Sequence, residues 1–412
     1  MRRWAAVGTR GAALAAALVA LAAPGSASAA ITTVFAGHTV NSLGVPCTAQ
    51  SDGVRVCQGS DGGSPAADTR LTSFDGVPLA GYVILPPAPA SGTDGNYPLI
   101  VQSHGWGGQA GGPSSTEYTG PTGDAWAKQG YAVLELTARG WADSCGSAQS
   151  RLVDPTGCMK GYIRLDDNRY EVRDIQTASG LLVDEGVVDP NRIGATGPSY
   201  GGGVSLQLAT LKDRIENTDG TFSPWRSPHG TPLHLAAAAP VIPWSDLVYS
   251  LLPNGRTLDF QVTSPTADLS PTGIDKQSFV SGLYALGLAS GFYAPPGTDS
   301  SADLTTWNTL INAGEPYDSN PQDQAITTQI FHFHSGVLPA RRGRRRLGRG
   351  AVPTAHLQRL HRRPVPGRRG SALLQPRALA VPRRSDRPLR HGLRAHARTE
   401  QARRRGRALG AH

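Results

Sequence analysis

The chain has 412 residues, 50 of them glycine, and a formal net charge of +9. That length fits one large α/β domain with insertions or two smaller domains. The charge is an average over two compositions: residues 336–412 hold 22 arginines and no lysine against Asp386 and Glu400, a net of +20, whereas residues 1–335 hold 18 basic and 29 acidic residues, a net of −11. An acidic main body argues against a nucleic-acid-binding protein, and no stretch beyond the N-terminus is apolar over a membrane-spanning length.

The first 29 residues read as a secretory signal. Arg2 and Arg3 precede the apolar run Ala12 to Ala23, and Ala27-Ser28-Ala29 supplies a small-residue cleavage site. Export gives meaning to the four cysteines, Cys47, Cys57, Cys145 and Cys158, which form two close pairs in sequence. Three connectivities are open to four cysteines, and Cys47–Cys57 with Cys145–Cys158 is the local one. No Cys-x-x-Cys or His-x-x-x-His spacing points to a metal, and no cofactor is expected.

Residues 30–68 are rich in Gly, Ser and Asp and read as an extended, disulfide-tied lead-in. From Thr69 the pattern changes. Leu71 to Pro86 alternates around Asp75-Gly76, which predicts a hairpin. Strands are predicted at Tyr97–Ser103, Tyr131–Thr137, Arg192–Thr196 and Leu233–Pro240, with helices at Asp124–Gly130, Asn168–Glu185 and Gly202–Leu211. Strands alternating with helices imply an α/β fold, a mainly parallel sheet covered by helices on both faces. Residues from about 242 to 330 break the rhythm with two apolar patches, Trp244–Leu252 and Phe279–Phe292, and read as a helical cap inserted over the strand ends.

The stretch that carries chemistry is Val188 to Ala209, a strand, a tight turn with Ser199 at its tip, and a helix. Gly197 and Gly201 flank the serine as Gly-x-Ser-x-Gly, the layout of a nucleophile elbow. In a chain with 50 glycines this pentapeptide arises by chance on the order of half a time, so its context decides. Acyl transfer also needs donors for the developing oxyanion. The N–H of Tyr200 is one candidate. The loop His104-Gly-Trp-Gly-Gly108, which follows a strand, offers Trp106 N–H as the second. Gly105-x-Gly107-x-x-Ala110 also matches a variant dinucleotide fingerprint, but Gly111-Gly-Pro-Ser-Ser115 cannot open the helix that fingerprint requires.

His104-Gly-Trp-Gly-Gly, Arg139-Gly140 with Ser144-Cys-Gly146, and Ile193-Gly-Ala-Thr-Gly-Pro-Ser-Tyr-Gly-Gly202 occur in order. Together they resemble the X-prolyl dipeptidyl-peptidase-like and cocaine-esterase-like serine hydrolases over residues 69–335. The resemblance implies an α/β-hydrolase fold with a helical cap, a C-terminal β-sandwich, and an aspartate and a histidine after the cap. The implied reaction cleaves an ester or peptide bond of a small-molecule substrate, with Ser199 as nucleophile.

Beyond Ser335 the family pattern stops. Residues 336–412 contain no Phe, Tyr, Trp, Ile, Lys, Asn, Met or Cys, the signature of a GC-rich gene read out of frame. Shifted by one nucleotide, Thr354–Arg363 permits Leu-Leu-Ile-Tyr-Asn-Gly-Phe-Thr-Asp-Asp, a strand ending where the family places its acid. Leu393–Ala397 permits Phe-Gly-His-Met, where the family places its base, and Val337–Pro339 permits Tyr-Tyr-Leu. The tail as written reads as disordered. On this view the chain is a secreted serine hydrolase whose triad Asp and His are not encoded, with activity impaired. Two alternatives stand: an exported binding protein with a basic arm for anionic polymers, and a lipase or polyester hydrolase of the same fold. No specific nucleic-acid partner is expected, and oligomeric state is left open.

Overall fold

The structure is a computed structural model, and it describes residues 29–118, 120–253, 272–314, 317 and 320–336. The expected signal peptide, apart from Ala29, and the arginine-rich tail beyond Gly336 lie outside the described residues, as do 254–271 within the cap.

Strands β1 (Thr33–Val34), β2 (Val45–Ala49) and β3 (Arg55–Gly59) come first. A small hairpin of β4 (Leu71–Thr72) and β5 (Pro78–Leu79) follows, then β6 (Gly81–Leu85) and β7 (Tyr97–Gln102). Helix α1 (Gly123–Lys128) leads into β8 (Ala132–Leu136), and α2 (Ala148–Val153) and α3 (Glu171–Asp184) into β9 (Val188–Pro198). Helix α4 (Tyr200–Leu211) leads to the pair β10 (Arg214–Glu216) and β11 (Phe222–Pro224), and then to β12 (Leu235–Val241). Helices α5 (Leu247–Leu251), α6 (Gln277–Ser290), α7 (Leu304–Asn312) and α8 (Pro321–Phe333) complete the described chain.

Eight strands form one sheet in the order β1-β2-β3-β6-β8-β7-β9-β12. Strands β8, β7, β9 and β12 run parallel, and the pairings from β1 to β8 are antiparallel. The sheet is therefore mixed. Its antiparallel flank is the disulfide-tied lead-in, because the turn between β2 and β3 is too short for the crossover a parallel pair needs. Cys47 sits opposite Cys57 in that hairpin and is bonded to it. Cys145 is bonded to Cys158, and both are buried.

Both faces of the sheet are covered. Val172, Ala178 and Leu182 of α3 and Val204 and Leu208 of α4 pack with Val101, Leu134 and Ile193. On the other face Ala127 of α1 packs with Ile84 and Val133. Strand β12 departs from this rule. Ala236, Ala237, Ala238 and Ala239 are exposed on both sides of the strand, and among the described strands only β9 pairs with it. Parallel strands are normally buried on both faces, so β12 has the composition of an interior strand at the sheet's edge.

The cap helices share a second core, in which Leu247, Trp307, Ile311 and Ile330 pack with Trp141 and Ile163 from the sheet side. Backbone hydrogen bonds join the two: Ile163 N–H donates to the Phe292 carbonyl at 2.9 Å, and Phe292 N–H to that of Gly140 at 2.8 Å.

Arg139, which follows β8, is fully buried and binds Asp75 of the hairpin and Asp174 of α3 at 2.8 and 2.6 Å. Ser73 also donates to Asp174. One guanidinium thus fixes the hairpin and α3 relative to the end of β8. Replacing it with an apolar group leaves two carboxylates without their counter-charge, a change that typically costs about 3–5 kcal/mol. Arg139→Leu is expected to lower the urea midpoint accordingly, whereas Arg192→Leu at the exposed Asp189 pair should shift it by under about 1 kcal/mol.

Candidate active site

Strand β9 ends at Pro198, and Ser199 follows with φ 52° and ψ −110°, a left-handed conformation that costs a non-glycine residue of order 1–3 kcal/mol. The next residue, Tyr200, opens α4. The turn is held from three sides. Ser199 N–H donates to the Val241 carbonyl at the end of β12, and Ser199 C=O accepts from Gly203 N–H in the first turn of α4. A side chain at Gly201 would overlap the Ser103 carbonyl at the end of β7, and one at Gly197 would meet both Ser103 and the Gly201 backbone. Both flanking glycines are thus required by close backbone approach.

The same approach places the His104-Gly-Trp loop against the elbow. His104 is buried: its Nδ1 donates to the Gly105 carbonyl at 2.8 Å, and its Nε2 accepts from Ala138 N–H at 3.0 Å. Burial holds its pKa down to about 4, so the ring stays neutral with both nitrogens engaged. His104 shapes the loop and has no nitrogen left to serve as a base. Trp106 packs edge-on against Tyr200, with ring centroids 5.2 Å apart, and its indole N–H donates to the Leu283 carbonyl in α6. Among the described residues, neither Trp106 N–H nor Tyr200 N–H makes a hydrogen bond outside its own element. Tyr200 N–H is moreover one of the open donors at the start of α4.

Ser199 and Tyr200 lie in the wall of a cavity of about 360 Å³ roofed by the cap. Trp106, Trp244, Tyr284 and Trp307 contribute to its lining, with aliphatic side chains from α5, α6, α7 and α8. No histidine and no carboxylate lines it among the described residues. His334, at the end of α8, is fully buried; its Nδ1 donates to the Leu165 carbonyl, and its Nε2 lies 3.8 Å from Asp167. That pairing does not reach the cavity wall.

A set of acids that sequence reasoning missed lies behind the elbow. The Tyr200 hydroxyl donates to Glu171 at 2.7 Å and accepts from Asp166 N–H at 2.9 Å. Glu171 also accepts from Arg164 N–H at 3.1 Å. Burial lifts Glu171 to a pKa of about 7, and burial with the Glu171 charge lifts Asp166 well above the carboxylate range. The Asp166 carboxylate lies against α4 where it meets Gly203. In sequence, Asp166-Asp-Asn-Arg-Tyr-Glu171 straddles the start of the predicted helix at Asn168, and nothing local signals this packing. The acids anchor the Tyr200 phenol and thereby the start of α4.

Two outcomes follow. Gly201→Ala should destabilise the fold by about 1–3 kcal/mol or more through overpacking on Ser103, measured by chemical denaturation. Glu171 has a folded pKa above its unfolded value of 4.5, so the folded state binds more protons and stability falls as pH rises from about 4.5 to 7. Glu171→Gln, a mimic of the neutral acid, should remove part of that loss, read as a smaller fall in Tm between pH 5 and 8, while Asp166, raised in the same pair, retains its own share. Glu135, also lifted to about 7 by burial, keeps its own share of the slope.

Residues 67–229 match the family model of acetyl xylan esterase. Among solved structures, an acetyl xylan esterase from Paenibacillus sp. R4 is similar at 15% identity, over 72% of this chain and 68% of that one, with a TM-score of 0.36. A post-proline cleaving enzyme from Rickettsia typhi (16% identity, 48% of this chain and 22% of that one, TM-score 0.29) and an acylaminoacyl peptidase from Pyrococcus horikoshii (21%, 44% and 23%, 0.29) are also similar. The chain spans less than a quarter of either peptidase. The family-model match does not extend to the X-prolyl peptidase and cocaine-esterase families that the motifs resemble. Carrying a serine at the strand-to-helix turn of a mixed sheet, this chain has the α/β-hydrolase fold.

Proposed function

We propose that the chain is the greater part of an exported serine esterase. The observation that carries the proposal is Ser199, held at positive φ on the tip of the elbow and facing an apolar cavity. In the reaction Ser199 Oγ attacks the ester carbonyl and gives up its proton to a base. Tyr200 N–H and Trp106 N–H receive the oxyanion. The alcohol leaves as the carbonyl re-forms, and water then releases the acid from the acyl-serine. An ester is favoured over an X-prolyl peptide because a free amino terminus needs a carboxylate to hold it, and none lines the cavity among the described residues. Export accords with the two disulfides, which form in oxidising compartments. No helix among the described residues is long and apolar enough to cross a membrane.

The base and its acid partner belong, on this proposal, to sequence displaced by a frame change near Gly336. The exposed alanine strand β12 supports it independently of composition: its open edge leaves room for a further strand, and the shifted frame at Thr354–Arg363 permits an apolar one. A chain re-encoded in the shifted frame from residue 337 should hydrolyse p-nitrophenyl esters, and Ser199→Ala should abolish that activity. The chain as written should be slower by at least about 10³-fold, since losing the base removes most of the rate. Ser199-dependent turnover by the chain as written at about 1 s⁻¹ or more would overturn the missing-base proposal. A re-encoded chain indifferent to Ser199→Ala would overturn the nucleophile.

A further inference from the structure

We infer that the cavity beside Ser199 takes an apolar acyl or alkyl chain with on the order of ten non-hydrogen atoms, rather than an acetyl group or a sugar. This rests on the esterase proposal for its chemistry, but the cavity's preference can be tested without turnover.

Size is the first ground. At about 30 Å³ per water-sized group, 360 Å³ holds on the order of ten heavy atoms, and an acetyl group fills about a quarter of it. The second ground is the state of the polar groups in the wall. Trp106 indole N–H is bonded to the Leu283 carbonyl, and Trp244 indole N–H to that of His334, at 2.8 and 3.0 Å. The Tyr284 hydroxyl donates to Thr305, the Tyr293 hydroxyl to the Tyr284 carbonyl and the Ser250 hydroxyl to the Asp246 carbonyl, at 3.0, 3.0 and 2.9 Å. The Asn308 side-chain oxygen accepts from Asn312 at 2.9 Å. These groups are engaged within the protein. A sugar placed here would lose hydrogen bonds to water and recover few, at about 1–3 kcal/mol for each group left unpaired.

The remaining surface is hydrocarbon and aromatic: Leu251, Val280, Leu283, Leu304, Trp307 and Ile311 form much of it. The apolar character continues outward. Ile242 and Phe279 line the cavity and are 74% and 55% exposed, so a chain longer than the cavity still lies on apolar surface as it leaves. Lys276 is the sole charged residue among the lining residues described, and it is exposed to solvent. Its ammonium can therefore stay in water without entering the apolar wall.

The test uses the full chain as written and a series of alkan-2-ones from butan-2-one to dodecan-2-one, which present a carbonyl with no leaving group. Binding is read by tryptophan fluorescence, since Trp106, Trp244 and Trp307 line the cavity. Kd should fall about fourfold per added methylene until about ten carbons and then level off. Xylose tetra-acetate should not displace decan-2-one. Val280→Asp on α6 should raise the Kd of decan-2-one at least tenfold, with circular dichroism and Tm confirming that the variant folds. Arg192→Leu, at the exposed pair with Asp189 and away from the cavity, should leave the whole series unchanged. A Kd independent of chain length, displacement by the sugar acetate, or a folded Val280→Asp that leaves the series unaltered would overturn it. Retention of the series alongside Ser199-independent hydrolysis in the re-encoded chain would sink the esterase proposal alone.

Discussion

Everything at the proposed site depends on one close contact, the seating of the Ser103 carbonyl against Gly201 with Gly197 beside it. It locks the end of β7 to the crossing of β9 and α4. Because β7 lies between β8 and β9 in the sheet, the contact can form only where the parallel strands end together. From it follow the strained backbone of Ser199, the direction of the first N–H groups of α4, and the position of the loop that carries Trp106. The strain is held by neighbours on three sides, which is how a serine keeps a conformation that most residues avoid.

Apart from the solvent-exposed Lys276, the cavity lining described carries no charge, and charged groups are concentrated behind it. The Arg139 network with Asp75 and Asp174 pairs its charges within a dry interior. The Tyr200–Glu171–Asp166 set works differently, since burial favours the neutral acids and the phenol links them. His104 is neutral for the same reason. On the proposed reading such a site would present Ser199 and two N–H donors in apolar surroundings, where a developing oxyanion gains most from fixed dipoles. Among the described residues, no histidine or carboxylate lines the cavity to act as the proton acceptor that the proposed reaction needs.

Much of this arrangement was legible in sequence because it is local. The elbow needs small residues at fixed offsets, the parallel strands are short runs of β-branched and aliphatic residues, and a ten-residue separation makes Cys47–Cys57 a natural hairpin pair. Long-range features were not legible. Nothing local says that β1 to β3 pair onto β6 and extend the main sheet, because their Gly- and Ser-rich sequence reads as loop. The burial of Asp166 and Glu171 carries no local signal, because it depends on Tyr200, 29 residues beyond Glu171. Helices α7 and α8 went unpredicted, since Thr, Asn and Gln dilute their apolar spacing. The cavity exists only once the cap and the elbow meet, so no segment announces it.

Strand β12 shows why local correctness does not complete a fold. Its pairing with β9 is in register from Ala237 to Val241, and it supplies the carbonyl that holds Ser199 N–H. Half of its hydrogen-bonding capacity nevertheless faces away from any described strand, and its alanines stay exposed although α4 packs nearby. Alanine has weak strand propensity on its own, so a run of four in a strand relies on packing against neighbours rather than on intrinsic preference. The arginine-rich residues that follow Gly336 offer no alternating apolar pattern able to provide that packing. A frame change at that point would leave each earlier local signal intact while removing the partners those signals presuppose, and an elbow with a formed cavity but no base is the state it would produce.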